Sequence, residues 1–359
     1  MVKFFLKYLL VGVLFLPLAC IRSVNVPIRN VSPNLVVEGS ITTSPPPYTI
    51  KLSYSGAFDA TYQLTPENYI SDAQVVIEDD LGDSTSCQWQ YNGTYLSTDS
   101  NFIGKVGRAY TLKIRLSNGK TYVSNQEKIT PVPSIDSVTI TYDSSYISDV
   151  RPTQFIISVN THDPAGAQNY YRWTASAYVP RKSYGWPCSI SSPPCGIYCT
   201  CFALCVQYTP NNAINVMSDQ FVDGREIQQP VYYSPVYWFG THFIEMEQYS
   251  INKDVYIFWN QYLAQTNRTG SILDPLPAPL LGNVHNQADS NDVALGIFSA
   301  SDVVSKKIKI TPFFLQEYYL LSIAIDFIKM GDCHSVYVNS LDDDASPPGW
   351  DSAQSFEFH

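Results

Sequence analysis

Apolar residues recur at every second position through much of this chain, and that period admits half-buried strands rather than helices. YTIKLSY (48–54) sets Tyr48, Ile50, Leu52 and Tyr54 against polar neighbours, and YTLKIRLS (110–117) does the same with Tyr110, Leu112, Ile114 and Leu116. Hairpin chemistry lies between such runs. Asn92-Gly93 separates two short aromatic segments, and Asn118-Gly119 precedes KTYVS. EDDLGD (78–83) ends the AQVVI run in a turn. The pattern predicts a mainly β fold of two β-sandwich-like domains, residues 35–130 forming a small Ig-like antiparallel sandwich. PVPSID (131–136) marks the boundary, because two prolines interrupt a ladder. VTITY (138–142), FIISV (155–159) and YYRWTASAYV (170–179) then resume the alternation, so residues 131–359 read as a second mainly β domain. No repeat of about 20–50 residues is visible, which argues against a solenoid or propeller.

One segment breaks the period. SINKDVYIFWNQYLAQ (250–265) places Val255, Phe258, Trp259 and Tyr262 at helical spacing, with Ser250 as the expected N-cap. Core packing is the first reading of that aromatic stripe, and a ligand-stacking face the second. DPLPAPLLGN (274–283) reads as a proline-rich crossing loop, and KKIKI (306–310) as a further strand. FFLQEYYLLSIAIDFI (313–328) is apolar, but Gln316, Glu317 and Asp326 interrupt it, so a buried strand or strand pair is expected.

The start of the chain reads as an export signal over residues 1–19. Lys3 and Lys7 precede an apolar run from Tyr8 to Leu18, shorter than the roughly 20 residues a spanning helix needs. Pro17 sits where a soluble export signal wants a small residue, whereas Cys20 directly follows Leu18-Ala19 as in a bacterial lipobox. Lipidation of Cys20 is therefore expected, with residues 20–34 as a tether. Each buried methylene of the acyl chains contributes about 0.8 kcal/mol to anchoring at a membrane.

Charge and composition narrow the function. A net charge of -10 repels phosphate backbones, which argues against nucleic acid as a partner. The hydrophobic content of 45% suffices for a packed core. Five cysteines crowd one insert (188–205): Cys188, Cys195, Cys199, Cys201 and Cys205. Their spacing lacks the paired Cys-x2-Cys knuckles of structural zinc and the Cys-x-x-Cys of thioredoxin-like sites. Outside the cytosol, disulfide staples are the leading reading, with metal binding and partly free thiols as alternatives. Cys87 and Cys333 join the candidate set, and once Cys20 is lipidated the remaining number is odd. Cys199 and Cys201 would share one strand face and need different partners. The pairing stays open.

No catalytic motif is found. There is no His-Glu-x-x-His helix and no Gly-x-Ser-x-Gly elbow. His162-Asp163-Pro164 reads as a turn before it reads as part of a triad. Glu245 and Glu247 share a strand face and are expected to be surface charges. Asp342, Asp343 and Asp344 lack the ligand spacing of a calcium loop. No enzyme activity, cofactor or metal is expected.

Several segments together resemble a lipoprotein family of Bacteroidota known as domain of unknown function four-two-four-nine. LVVEGSIT (35–42), SDAQVVIEDDLG (71–82), YTLKIRLSNGKTYVS (110–124) and PVPSIDSV (131–138) are similar to its first half. YYRW (170–173), YSINKDVYIFWNQYL (249–263), GSILDPLPAPLLGNVHN (270–286), LGIFSAS (295–301), GDC (331–333) and PPGW (347–350) are similar to its second. The resemblance implies an outer-membrane lipoprotein with two mainly β domains, encoded beside TonB-dependent transporters and acting as an accessory or ligand-capture subunit. Cys20 alone carries over as a functional residue. IRSVN after Cys20 holds no acidic residue, which leaves the membrane face open. A cell-surface adhesin is the alternative, and a hydrolase built around Glu245 or His242 a third reading.

Overall fold

Alternating strands account for most of the computed structural model, which describes residues 33–56, 68–143, 154–184, 202–210, 213–235, 240–267, 279–312, 329–330, 333–337, 339–342, 347 and 349–358. Asn34–Ser55 and Leu64–His359 group as one compact unit. Eight strands come first: β1 (Leu35–Thr42), β2 (Thr49–Tyr54), β3 (Gln74–Asp79), β4 (Ser84–Tyr91), β5 (Thr94–Ser97), β6 (Ala109–Arg115), β7 (Thr121–Ser124) and β8 (Glu127–Lys128). Then follow β9 (Ile135–Asp143), β10 (Gln154–His162), β11 (Tyr170–Tyr184), β12 (Phe202–Pro210), β13 (Asn215–Ser218), β14 (Glu226–Pro235), β15 (His242–Ser250) and helix α1 (Lys253–Thr266). The described chain ends with β16 (Leu281–Asn286), β17 (Val293–Ser301), β18 (Val303–Pro312), β19 (Lys329–Met330), the short α2 (Cys333–Val336), β20 (Ser340–Asp342) and β21 (Gln354–Phe358).

The first sheet closes on itself. Its order runs β3-β4-β5-β2-β1-β17-β16-β7-β6, and β6 pairs back with β3 to complete a nine-strand barrel, with β8 appended to β6. Alternate side chains point inward, so Val37, Ile41, Ile50, Leu52, Ile77, Leu112, Ile114 and Phe298 share one core. The hairpin dipeptides behave as their chemistry requires. Asn92 and Gly93 take φ of 44° and 69° between β4 and β5, and Gly119 takes 86° between β6 and β7.

The expected sandwich over 35–130 is thereby corrected. Those strands do not close alone, because β17 lies parallel to β1, with Val37 opposite Gly296, and β16 then bridges β17 to β7. Glycines permit the tight lateral fit. A Cβ on Gly282 would lie 1.8 Å from the Gly296 carbonyl oxygen, and one on Gly296 would lie 2.0 Å from that of Val37. Gly296 also has φ +88°, which a side chain rarely adopts.

Two further sheets form a sandwich. The order β14-β10-β9 faces the order β20-β12-β11-β15-β18-β21, with β13 and β19 paired to β11. Phe155, Ile157, Val159 and Val231 from the small sheet meet Trp173, Ala175, Ile244, Met246, Ile308 and Ile310 from the large one. Buried Trp173 donates its indole N–H to Gln248, whose amide donates in turn to the carbonyl of Pro133 and to Thr161. The proline-rich boundary is thus fastened to the sandwich core.

Barrel and sandwich meet at Asp302, the single residue between β17 and β18. Its carboxylate accepts from Thr43 Oγ1 at 2.7 Å and from the Val132 N–H at 2.9 Å. Its backbone N–H donates to Ser250 Oγ, and its carbonyl accepts from the Ser250 N–H. The end of β1, the boundary segment and the end of β15 are thereby tied to one residue. Ser250, expected as the helix N-cap, serves this junction by donating to the Thr130 carbonyl. The cap position falls to Asn252, whose side chain makes no cap hydrogen bond and donates instead to Glu127.

Glu127 is buried at the barrel end and takes hydrogen bonds from Asn252 and, at 2.7 Å, from Asn283. Burial raises its pKa, the two amide donors oppose that, and the Asp254 charge adds to it.

Replacing Asp302 by Ala strands several donors and should lower unfolding free energy by about 2–4 kcal/mol. Asp302→Asn, which keeps one acceptor, should lose less than half as much. Urea midpoints compare the two, and an unchanged midpoint for Asp302→Ala would contradict the junction. Because the folded-state pKa of Glu127 is raised, its stabilising contribution is full below the unfolded value near 4.5 and fades as pH rises through the folded value. Glu127→Gln should therefore gain stability relative to the unmodified chain across that window, by about 1.4 kcal/mol for every tenfold difference in proton affinity. Denaturation curves at successive pH values would show it, and a constant difference between the two proteins would refute it.

Candidate binding site

The outer face of the barrel carries the polar alternates of its strands. Opposite inward Val37 and Ile41, β1 sends Glu38 and Ser40 outward, β2 sends Thr49 and Lys51, and β17 sends Ile297 and Ser299. Register places Glu38 beside Lys51 on one side and beside Ile297 on the other, with Ser40 beside Ser299. These three strands floor a cavity of about 370 Å³, walled by Arg172 of β11 and Trp259 of α1.

Each wall residue follows from its own element. β11 buries Tyr171, Trp173, Ala175 and Ala177 in the sandwich, so Arg172 emerges on the opposite face. Helix α1 buries Val255 and Phe258 against Ile251 and Ile297, with Tyr170, Tyr249 and Leu280 packed around them. That seating brings the Trp259 ring under the Arg172 guanidinium, 4.3 Å from the ring centroid. Tyr170 stacks on Tyr256 beside it, centroids 5.1 Å apart.

The electrostatics are uneven. Lys51 and Glu38 pair at 3.7 Å at an exposed edge. Glu247 accepts from Thr174 Oγ1 and the Tyr249 hydroxyl. Arg172 has the ring contact but no hydrogen bond or ion pair among the described residues. Burial lowers its pKa, while Tyr249, Glu38 and Glu247 act to raise it. Burial likewise pushes the Tyr249 hydroxyl up, and the Glu247 charge adds to it. A guanidinium held in place by an aromatic face, with its N–H fork unclaimed, is equipped to receive a planar anion.

Two other features were candidates. A second cavity of about 370 Å³ lies along α1, lined by Asn125, Asp254, Phe258, Gln261 and Asn283, with Ile297 shared between the two. Asp163, Asp219 and Asp223 bring carboxylate oxygens within 4.8 Å of one another, a set that suits a hard cation by type. Each already accepts from the surrounding turns: Asp163 from Tyr171 and the Gly224 N–H, Asp219 from the Asn169 N–H, and Asp223 from the Gly166 N–H. The trio therefore fastens the turn after β10 to the one after β13.

The residues singled out in the sequence separate. Cys205 and Cys333 form a disulfide, Cα atoms 6.2 Å apart, linking β12 to α2. Cys87 was a disulfide candidate and is corrected: it is a free thiol facing the barrel core, its pKa pushed up to about 12 by burial. Cys20, Cys188, Cys195, Cys199 and Cys201 lie outside the described residues, as do Asp343, Asp344 and the 313–328 stretch. Glu245 and Glu247 do share the outer face of β15, where Lys307 lies 3.8 Å from Glu245. His242 is fully buried on the opposite face, its Nδ1 2.8 Å from Ser234 Oγ, so it does not converge with Glu245. Asp163 is buried in a turn, as its sequence context suggested, while His162 is exposed. Trp259 packs partly against the Phe258 cluster, the first reading of the helix stripe, and also lines the cavity. Arg172 was missed. Its signal was a charge alternating with Tyr171 and Trp173, legible only once the helix bearing Trp259 is placed beside it.

No curated protein matches the chain. Among solved structures, trypsin-activated alpha-2-macroglobulin from Escherichia coli is similar at 11% identity and a TM-score of 0.18. That alignment covers 62% of this chain and 15% of that one, and a score so low carries no argument about fold. The family model for a domain of unknown function, DUF4249, matches residues 21–307. A match of that extent, spanning the whole barrel and most of the sandwich, places the chain in the DUF4249 family.

Proposed function

We propose that this chain is an exported, lipid-anchored capture module of the outer membrane, acting as accessory to a TonB-dependent barrel and binding its ligand without transforming it. The cavity under Arg172 carries the reading. It offers the Arg172 guanidinium, the Trp259 ring and three hydroxyls, groups suited to holding a polar ligand. The Cys205–Cys333 disulfide suits an oxidising compartment outside the cytosol. The basic start, the apolar run and Cys20 after Leu18-Ala19 suit processing to a lipoprotein. Acyl chains on Cys20 would hold the β unit at the bilayer through the tether that follows.

Intact-mass analysis of the protein extracted from membranes should show loss of residues 1–19 and added fatty-acid mass on Cys20. Cys20→Ser should release the chain into the soluble fraction, and a soluble wild-type product of unmodified mass would end the anchoring proposal. Gentle affinity purification from detergent-solubilised outer membranes should recover a barrel protein, and repeated recovery of the chain alone would remove the accessory role.

A further inference from the structure

We propose that the cavity between β1, β2, β17, Arg172 and Trp259 binds an acidic sugar, with the Arg172 guanidinium engaging the sugar carboxylate and Ser40, Thr49 and Ser299 its hydroxyls. This names the ligand class of the capture reading and rests on that reading only for its biological purpose.

Four observations converge. First, Arg172 is partly buried, held over Trp259 at 4.3 Å, and makes no hydrogen bond or ion pair among the described residues. The nearby carboxylates are engaged elsewhere, Glu38 with Lys51 and Glu247 with Thr174 and Tyr249. The guanidinium can therefore offer parallel N–H groups to a carboxylate. Second, with Glu38 balanced by Lys51, the lining carries one positive charge in excess. That suits a monoanion. A phosphate dianion carries one negative charge more than that excess neutralises. Third, three hydroxyl side chains come from three adjacent strands on one face, an array that matches several hydroxyls on one ring. Fourth, all three floor strands are paired on both sides within the closed barrel, so no free backbone edge exists here to take a peptide as an added strand. The volume of about 370 Å³ is near the lower end of ligand pockets, as a single sugar unit requires.

The test is calorimetric titration of the full mature chain in detergent. D-glucuronate is the probe, with D-glucose, glucuronate methyl ester and inorganic phosphate as comparators. Glucuronate should bind at least tenfold more tightly than each comparator. Arg172→Lys keeps the charge but loses the planar fork, and should weaken glucuronate at least tenfold while glucose is unaffected. Asp254→Asn, in the neighbouring cavity, should leave glucuronate affinity unchanged. Absent glucuronate binding, parity with glucose or the ester, tighter phosphate, full affinity in Arg172→Lys, or loss in Asp254→Asn would each overturn the assignment. The ester comparison uses the unmodified chain and so does not depend on any variant folding. A negative result here leaves the acyl mass and the co-purified barrel untouched, and a failure of those leaves the titration standing.

Discussion

The parallel pairing of β17 with β1 is the contact on which the rest of the molecule depends. Without it the barrel opens between β1 and β17, and two edges would expose unpaired backbone groups. Parallel neighbours require a long crossover, and here the chain between β1 and β17 holds the other barrel strands as well as most of the sandwich. The chain leaves the barrel after β8, builds β9 to β15 and α1, and returns as β16 and β17. Barrel and sandwich are therefore not beads on a string. Asp302 makes the exchange abrupt, since β17 ends at Ser301 and β18 begins at Val303. A carboxylate at that step gathers donors from segments remote in sequence, and the backbone polar groups freed by leaving one sheet and entering another find partners at once.

That exchange also places the cavity. Its floor belongs to the barrel, one wall to the large sheet, and the other to the helix that follows β15. Helix α1 packs Phe258 and Val255 against Ile297 of the barrel while Trp259 turns toward Arg172 of the sandwich. No one of these elements makes the site, and it forms only when non-local pairing is complete. Such a site is slow to assemble but well held, because every contributing residue sits on a regular element.

Local features were legible in the sequence, and distant ones were not. The period-2 pattern located β2 and β6, and Asn92-Gly93 and Asn118-Gly119 located two hairpins, because both signals are decided by neighbours along the chain. The mainly β class and the helix near 250–265 followed from the same kind of evidence. The barrel did not, since strand alternation states which face is buried and says nothing about which strand lies alongside. LGIFSAS reads as a strand in any sheet, and only the close approach of Gly282 and Gly296 to neighbouring carbonyls hints at tight lateral packing. Ser250 preceded a helical pattern with good capping chemistry, yet the junction with Asp302 and Thr130 claimed its hydroxyl. The partner of Cys205 lay outside its own cluster, 128 residues on, where spacing rules give no purchase. Cys87, counted among the candidate disulfides, is instead a free thiol enclosed in the barrel core.

The proposed binding role accounts for a cost at Arg172 that a packing role would not. A guanidinium moved out of water loses hydration that only an ion pair or several hydrogen bonds restore. Stacking on Trp259 returns part of that loss, about 0.5–2 kcal/mol for a contact of this type. A purely packing residue at this position, Leu or Met, would cover the indole without any desolvated charge. Glu38 is close enough to influence Arg172, yet it pairs with Lys51 at the rim. The cation is thus left partly buried over an indole with no polar partner among the described residues, a placement that the proposed anion would complete.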